Sequence, residues 1–405
     1  MISKLIKKRY KNICILGMVK DQRLLAKIYS IADIFVICSK RENFPTTCVE
    51  SQCCGTPVTG FHTGGTAETS LSGEGDFVPY GALKALEEKV RKITPDLKDR
   101  KKLEQSARQK FSKDKMFQEY QQLYHKLSEK DKKKILLIDV NCKGSSTGKI
   151  VYDIYSKIRS NGNEAAICYG RGRKIREESI YKFGIDLETY LHAFIARITG
   201  LNGFFSVFST LRLLTFIKRY KPDIIHIHEL HAYFVNLKPL LQYIKKSGIK
   251  LIWTFHCEYM YTGKCGYAYE CEKWKTECMN CPHIRDYPKS LFFDRTSYMF
   301  RKKKKLLKDL DVIIVTPSQW LAERVRQSFL KDKPVYVINN GIDTDIFHQS
   351  NDKRIRKILK IPLRHKIVLA VAPDIMDDRK GGRWILKMAK DMEKEEMTFV
   401  LAGQK

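Results

Sequence analysis

Two glutamates, Glu42 and Glu50, bracket the run Glu42-Asn-Phe-Pro-Thr-Thr-Cys-Val-Glu50. A spacing of eight is about two turns of helix, which would set both carboxylates toward one cleft. Asn43 to Thr46, including Phe44, would open that helix, and backbone amides at a helix start suit a phosphate or a sugar hydroxyl. Cys54-Gly-Thr-Pro-Val58 and Gly64-Gly-Thr-Ala-Glu68 follow closely, so Gly64 and Gly65 make a Gly-rich turn behind the acids. Near the other end of the chain, Arg379-Lys380-Gly381-Gly382 precedes a helical pattern. Two cations beside an amide-rich turn form an anion site. On residue types alone the first run is also an exposed acidic helix start. The second is also a basic surface cluster, in a chain holding 75 Lys and Arg.

The middle of the chain places histidines at two strand ends, in Asp223-Ile-Ile-His-Ile-His228 and Trp253-Thr-Phe-His256. Ligands bind at strand ends in open α/β sheets, although a single histidine there is more often structural. The loop Gly144 to Lys149 resembles a nucleotide P-loop only superficially. Three residues separate its glycines and Ile150 follows the lysine, which excludes the Walker pattern. Cys265, Cys271, Cys278 and Cys281 lie in a loop rich in Tyr, Trp and Lys. Cys-x2-Cys with two more thiols nearby suits a tetrahedral structural zinc, and reduced or redox-active thiols are the other readings.

Taken together, these motifs resemble the donor site of glycosyltransferase family 4, whose members have the GT-B fold: two Rossmann-like domains facing a cleft. The family pattern is E-x7-E, then A-x-G-x-P-V, then G-G-x-x-E. The resemblance implies that Glu42 contacts the donor sugar, that Glu50 holds the ribose, and that Arg379 and Lys380 hold the donor diphosphate. It also implies that His256 contacts the sugar and that the loop at Gly144 covers the diphosphate. Pro317-Ser-Gln-Trp-Leu and Val337-Ile-Asn-Asn-Gly-Ile-Asp343 match the family's crossing between domains. One departure stands out: many members carry Gly-Arg six or seven residues before the lysine, where this chain has Pro373-Asp374. The implied reaction is retaining transfer from a UDP- or GDP-linked sugar to a polysaccharide or lipid-linked acceptor, with no catalytic metal. A similar cysteine loop occurs in some capsule and O-antigen members.

The elements that must position these groups are legible as apolar runs alternating with helical patterns, the mark of parallel sheets with crossover helices. Strands are expected near 13–16, 34–37 and 57–59, then at 135–140, 165–168, 224–228, 250–255, 312–316 and 335–338, and finally at 367–372 and 398–402. Residues 96–127 and 190–217 read as long helical stretches, and the lysine-rich seam 129–134 reads as a linker. The tail from 360 ends after two strands, which cannot cover a sheet, so it needs a partner piece.

The expected domains are residues 1–128 as the main part of a donor-binding domain, 133–345 as an acceptor-side Rossmann-like domain, and 360–405 completing 1–128. That order is circularly permuted relative to the family. Joining Lys405 to Met1 would leave 14 residues between Gly403 and Ile13, about the family's spacing, with nothing duplicated. Circular permutation, fusion of two gene fragments, and a sequence cut at an artificial point all fit.

A length of 405 residues suits two α/β domains, and the hydrophobic fraction of 43% excludes general disorder. The opening MISKLIKKRYKN has no apolar h-region, and no stretch is long and apolar enough to span a bilayer. Adjacent Cys53 and Cys54 are poorly placed for a disulfide, so the cytosol, with reduced thiols, is the expected compartment. A net charge of +30 favours anionic partners. Arg301-Lys-Lys-Lys-Lys305, with Leu291-Phe-Phe nearby, reads as a solvated helix face or as contact with an anionic inner leaflet of the plasma membrane. An epimerase or phosphorylase is the rival within the fold. From another class, the rival is an inactive permuted or fused fragment that binds a membrane surface or nucleic acid, though no nucleic-acid motif is present.

Overall fold

The computed structural model describes residues 11–71, 76–352 and 354–404. Met1 and Lys405, whose closeness the permuted order predicts, lie outside the described residues, as does most of the amino-terminal segment. The chain forms two compact units: Met1–Met116 with Asn340–Lys405, and Phe117–Asn339. The division falls inside a helix, upstream of the lysine-rich seam.

The first unit is built on a six-stranded sheet ordered β1-β13-β12-β2-β3-β4, with every neighbouring pair parallel. Its strands are β1 (Ile13–Gly17), β2 (Ile34–Ile37), β3 (Val58–His62), β4 (Phe77–Pro79), β12 (Lys366–Asp374) and β13 (Met397–Gln404). Strands from the carboxyl end of the chain therefore sit in the middle of a sheet begun at the amino end. Counted from β12 through β13 and on through β1, the order is 3-2-1-4-5-6, the doubly wound Rossmann arrangement.

Strict alternation along the strands explains why both faces are covered. Phe35 and Ile37 join a core with Tyr29, Cys48, Val49 and Phe111 from α1 (Gln22–Ile31), α2 (Thr46–Cys53) and α4 (Leu97–Phe111). Ile34 and Val36 join the opposite core with Leu86 and Val90 of α3 (Leu83–Lys92) and Ile385 and Met388 of α13 (Gly382–Asp391). The short α12 (Arg354–Ile358) packs Ile355 into the first of these.

The second unit carries seven parallel strands ordered β11-β10-β9-β8-β5-β6-β7. They are β5 (Lys134–Asp139), β6 (Glu164–Tyr169), β7 (Ile180–Lys182), β8 (Ile224–Ile227), β9 (Lys250–Thr254), β10 (Ile313–Thr316) and β11 (Val335–Val337). This sheet is doubly wound too, reversing between β5 and β8. Its crossovers are α6 (Ser146–Ser160), α7 (Asp186–Thr199), α8 (Val207–Tyr220), α9 (Leu237–Ser247), α10 (Thr296–Leu307) and α11 (Gln319–Arg326).

Two long helical stretches are divided. Residues 96–127 form α4 and α5 (Lys113–Leu127), because Ser112 is extended and bridges to Ile342. The amide of Lys113 donates to the Ile342 carbonyl at 2.9 Å, and the amide of Ile342 to the Phe111 carbonyl at 2.9 Å. Residues 190–217 divide at Gly200, a left-handed cap at φ 75° closing α7. Strands β4 and β7 escape the apolar pattern because three residues carry no periodicity.

Candidate active site

In a doubly wound sheet, ligands bind beyond the carboxyl ends of the strands where the strand order reverses. In the first unit that point lies between β12 and β2, and the loops leaving those strands carry Asp374–Gly381 and Cys38–Asn43. The amide of Lys40 donates to the Arg379 carbonyl at 2.7 Å, which ties the two loops together. Above that tie, the Lys380 ammonium donates to Glu42 Oε1 at 2.5 Å and Arg379 Nη1 lies 3.5 Å from the same oxygen. Residues separated by more than 330 positions thus share one ion cluster.

Burial pushes the Glu42 carboxyl up, but the Lys380 and Arg379 charges outweigh it and hold the group below its ordinary value. Gly64 and Gly65 seat the backbone of Glu42: Gly64 pairs with it in a bridge, and the Gly65 amide donates to its carbonyl at 3.0 Å. Gly64 has φ +60°, and a Cβ there would lie 2.0 Å from the Glu42 carbonyl oxygen.

The expectation of two carboxylates on one helix is not how the chain reaches this arrangement. Helix α2 starts only at Thr46, after Pro45, so Glu42 lies on the preceding loop and Glu50 on the helix. Proline fixes the start of a helix and disfavours helical geometry in the residue before it. Glu50 accepts a 3.0 Å hydrogen bond from the buried Tyr29 hydroxyl. Asn43 and Phe44 are buried, with Phe44 edge-on to Phe111. The N-cap residues of α2 and α13, Pro45 and Gly381, supply no side-chain cap to the amides there. Gly381, at φ +71°, opens α13, and a Cβ there would lie 2.0 Å from the Cys38 carbonyl oxygen.

The other predicted residues belong to the second unit. Gly144 sits in the loop before α6, whose end is capped by Ser145 accepting from the Gly148 amide at 3.0 Å. His226 is a satisfied structural residue, bonded to the Tyr124 hydroxyl at 2.8 Å and to Thr254 Oγ1 at 2.9 Å. His228 Nδ1 lies 3.0 Å from His256 Nε2, and the two rings stack. Burial lowers the His256 imidazole.

The four loop cysteines line one small cavity. Cys265 and Cys281 share a hydrogen bond that draws the Cys281 thiol down to about 7 and pushes the Cys265 thiol up. Among the described residues, the set of potential metal ligands with all donor atoms within 4.8 Å is a different one: Glu229, His231 and Cys257. Those three carry no motif of their own in the sequence, although Glu229 and Cys257 directly follow the strand-end histidines His228 and His256.

Comparison with known proteins finds likeness to glycosyltransferases in both units. Residues 147–346 match the model of Glycosyltransferase Family 4, and residues 2–110 that of Glycosyl transferases group 1. The second unit is thus similar to glycosyltransferase family 4 and the first to a glycosyl transferase group, which marks the chain as a glycosyltransferase. The chain is 25% identical over 224 residues to the putative colanic acid biosynthesis glycosyl transferase WcaC of Escherichia coli (strain K12). The match takes in 52% of this chain and 54% of that protein, so the chain spans about half the length of this relative. The family 4 match lies in the second unit apart from its last seven residues, and the group 1 match lies wholly in the first.

Proposed function

We propose that this chain is a retaining transferase of family 4, moving a sugar from a UDP- or GDP-linked donor to a polysaccharide or lipid-linked oligosaccharide. The observation that carries the reading is the Glu42–Lys380–Arg379 cluster at the reversal point of a Rossmann sheet assembled from both ends of the chain. As the bond from the sugar to the diphosphate breaks, positive charge develops on the sugar and negative charge on the leaving phosphate. Lys380, Arg379 and the amides of α13 would stabilise the phosphate. Glu42 and His256 would hold the sugar, Glu50 the ribose, and the Gly144 loop would cover the diphosphate. Asn43 and Phe44, with the amide end of α2, complete the donor pocket. Glu42 pairs with the Lys380 charge, and a donor diphosphate would compete for it. No metal is needed for this charge balance. A zinc ion on Cys265, Cys271, Cys278 and Cys281 would pin their loop and stay outside the chemistry.

Permutation fits the strand order, which reads 3-2-1-4-5-6 only when counted through the chain ends. It places the same donor machinery in a different linear order. The relative's name, which assigns it to colanic acid biosynthesis, supports a polysaccharide product. An anionic membrane surface carrying the acceptor is the partner that fits the second unit. Leu187, Tyr190, Leu191 and Phe194 leave one face of α7 exposed, Phe208 and Leu211 do so on α8, and Phe292 is exposed in the loop whose Leu291 amide donates to the Arg197 carbonyl. A net charge of +30 complements an anionic leaflet, at about 1 kcal/mol per basic residue near the surface.

The reaction is tested by incubating the purified chain with a panel of UDP- and GDP-sugars and lipid-linked acceptors, then reading the anomeric configuration of any product by NMR. A product that keeps the donor's configuration supports the reading, and inverted product or no turnover of any donor contradicts it.

A further inference from the structure

We infer that Glu229, His231 and Cys257 form a binding site for a zinc-type divalent cation, at the carboxyl ends of two adjacent strands. Strands β8 and β9 are neighbours, with Ile227 opposite Trp253, so the residues just beyond them emerge side by side. His231 Nε2 lies 2.5 Å from Glu229 Oε2, and Cys257 Sγ lies 3.5 Å from that same oxygen. All three donor atoms fall within 4.8 Å of one another. Nitrogen, sulfur and oxygen ligands around zinc sit about 2.0–2.3 Å from the ion, so donors converging this closely need only a small outward shift of the carboxylate to admit it.

The frame behind the three is fixed. The Glu229 amide donates to Asp139 Oδ1 at 3.1 Å, and the Trp253 indole donates to the His228 carbonyl at 2.9 Å. The Tyr287 hydroxyl is 3.4 Å from His231 Nδ1, and the Tyr259 and Tyr287 rings stand edge-on to the imidazole. An outer hydrogen bond on the second ring nitrogen is how metal-binding histidines are oriented.

Charge also balances: a dication with a carboxylate, a thiolate and a neutral imidazole sums to zero, which suits a buried site. One thiolate with one imidazole selects zinc, cobalt or cadmium over magnesium and calcium. Three protein ligands leave a fourth position open, and the ion would clamp β8 to β9 next to His256.

Cobalt(II) titration of the chelator-treated full chain tests this, reading both the metal-to-protein ratio and the thiolate-to-cobalt absorption. The Cys257→Ser variant should bind one equivalent fewer than the parent, or the remaining site at least tenfold more weakly, with correspondingly less thiolate absorption. Glu229→Gln, of unchanged size, should weaken the same equivalent while circular dichroism shows the fold retained. Cys278→Ser reports on the cysteine loop and should leave this equivalent in place. If the parent takes up no cobalt, or if Cys257→Ser and Glu229→Gln match the parent in ratio and absorption, the site is overturned. Nucleotide binding in the first unit is measured separately, so cobalt binding without it counts against the transferase reading alone.

Discussion

Lys380 and Glu42 meet as a nearly buried ion pair, and each has a separate consequence when removed. Lys380→Ala should lower turnover of the donor by about a hundredfold or more, the usual cost of removing one group that stabilises leaving charge; steady-state kinetics against the parent checks it. Glu42 also gives the fold a pH dependence. Its folded carboxyl lies below the ordinary value of about 4.5, so its stabilisation is present above that pH and lost as pH falls through the lower folded value. In Lys380→Ala the depression shrinks, so urea denaturation between pH 5 and 3 should show a smaller loss of stability on acidification than in the parent. At this scale the sequence supplied the chemical types of Glu42, Glu50, Arg379 and Lys380. It misplaced Glu42 on a helix, because the spacing to Glu50 fits two turns while Pro45 delays the start of α2. Glu229, His231 and Cys257 stayed hidden because their convergence depends on which strands are neighbours.

Tight backbone approach, more than propensity, sets the turns that carry these residues. Gly64 and Gly381 both have positive φ, and an alanine Cβ at either would press to 2.0 Å from a carbonyl oxygen. Gly17 also has positive φ, at +73°, but nothing lies within 4 Å of its would-be Cβ. Alanine at Gly17 should therefore cost about 1 kcal/mol for the left-handed backbone alone. At Gly64 or Gly381 the cost should be clearly larger, measured on the unfolding transition of the first unit. A second element-scale prediction concerns α7. His192 Nε2 accepts from the Gly203 amide at 3.2 Å, and Nδ1 lies 2.8 Å from the Ser206 hydroxyl, which donates to the Tyr233 carbonyl. Burial lowers this imidazole to about 4. A depressed histidine leaves stability intact above about pH 6.5 and removes it as pH falls toward 4, by about 3 kcal/mol in all. His192→Asn should flatten that part of the pH–stability curve, read by denaturant titration at several pH values. The division of α7 from α8 is legible at Gly200 only in hindsight, since the apolar pattern runs through it.

Across the whole molecule, the alternation of strands and helices made the α/β class and most of the strands readable, and the motifs near both chain ends pointed to one sheet built from the two. The partner for the tail from 360 was inferable because two strands cannot bury a sheet. Its insertion between β1 and β2 followed only from hydrogen-bond pairing. Removing residues 360–405 should therefore unfold the first unit, with loss of its share of the circular dichroism signal. A re-permuted chain, opened within 129–133 with Lys405 linked to Met1, should retain both the fold and the donor site. Sedimentation with anionic vesicles should recover the chain in low salt and release it in high salt, and Phe194→Glu with Phe208→Glu should weaken that association.

The central claim is that the two ends of this chain assemble one donor site. Calorimetric titration of UDP and GDP into the parent, Glu50→Ala and Lys380→Ala addresses it most directly. The account predicts micromolar binding of one nucleotide by the parent and its loss in both variants, since one residue comes from each end. Binding of neither nucleotide, or binding that survives in Lys380→Ala, would contradict it.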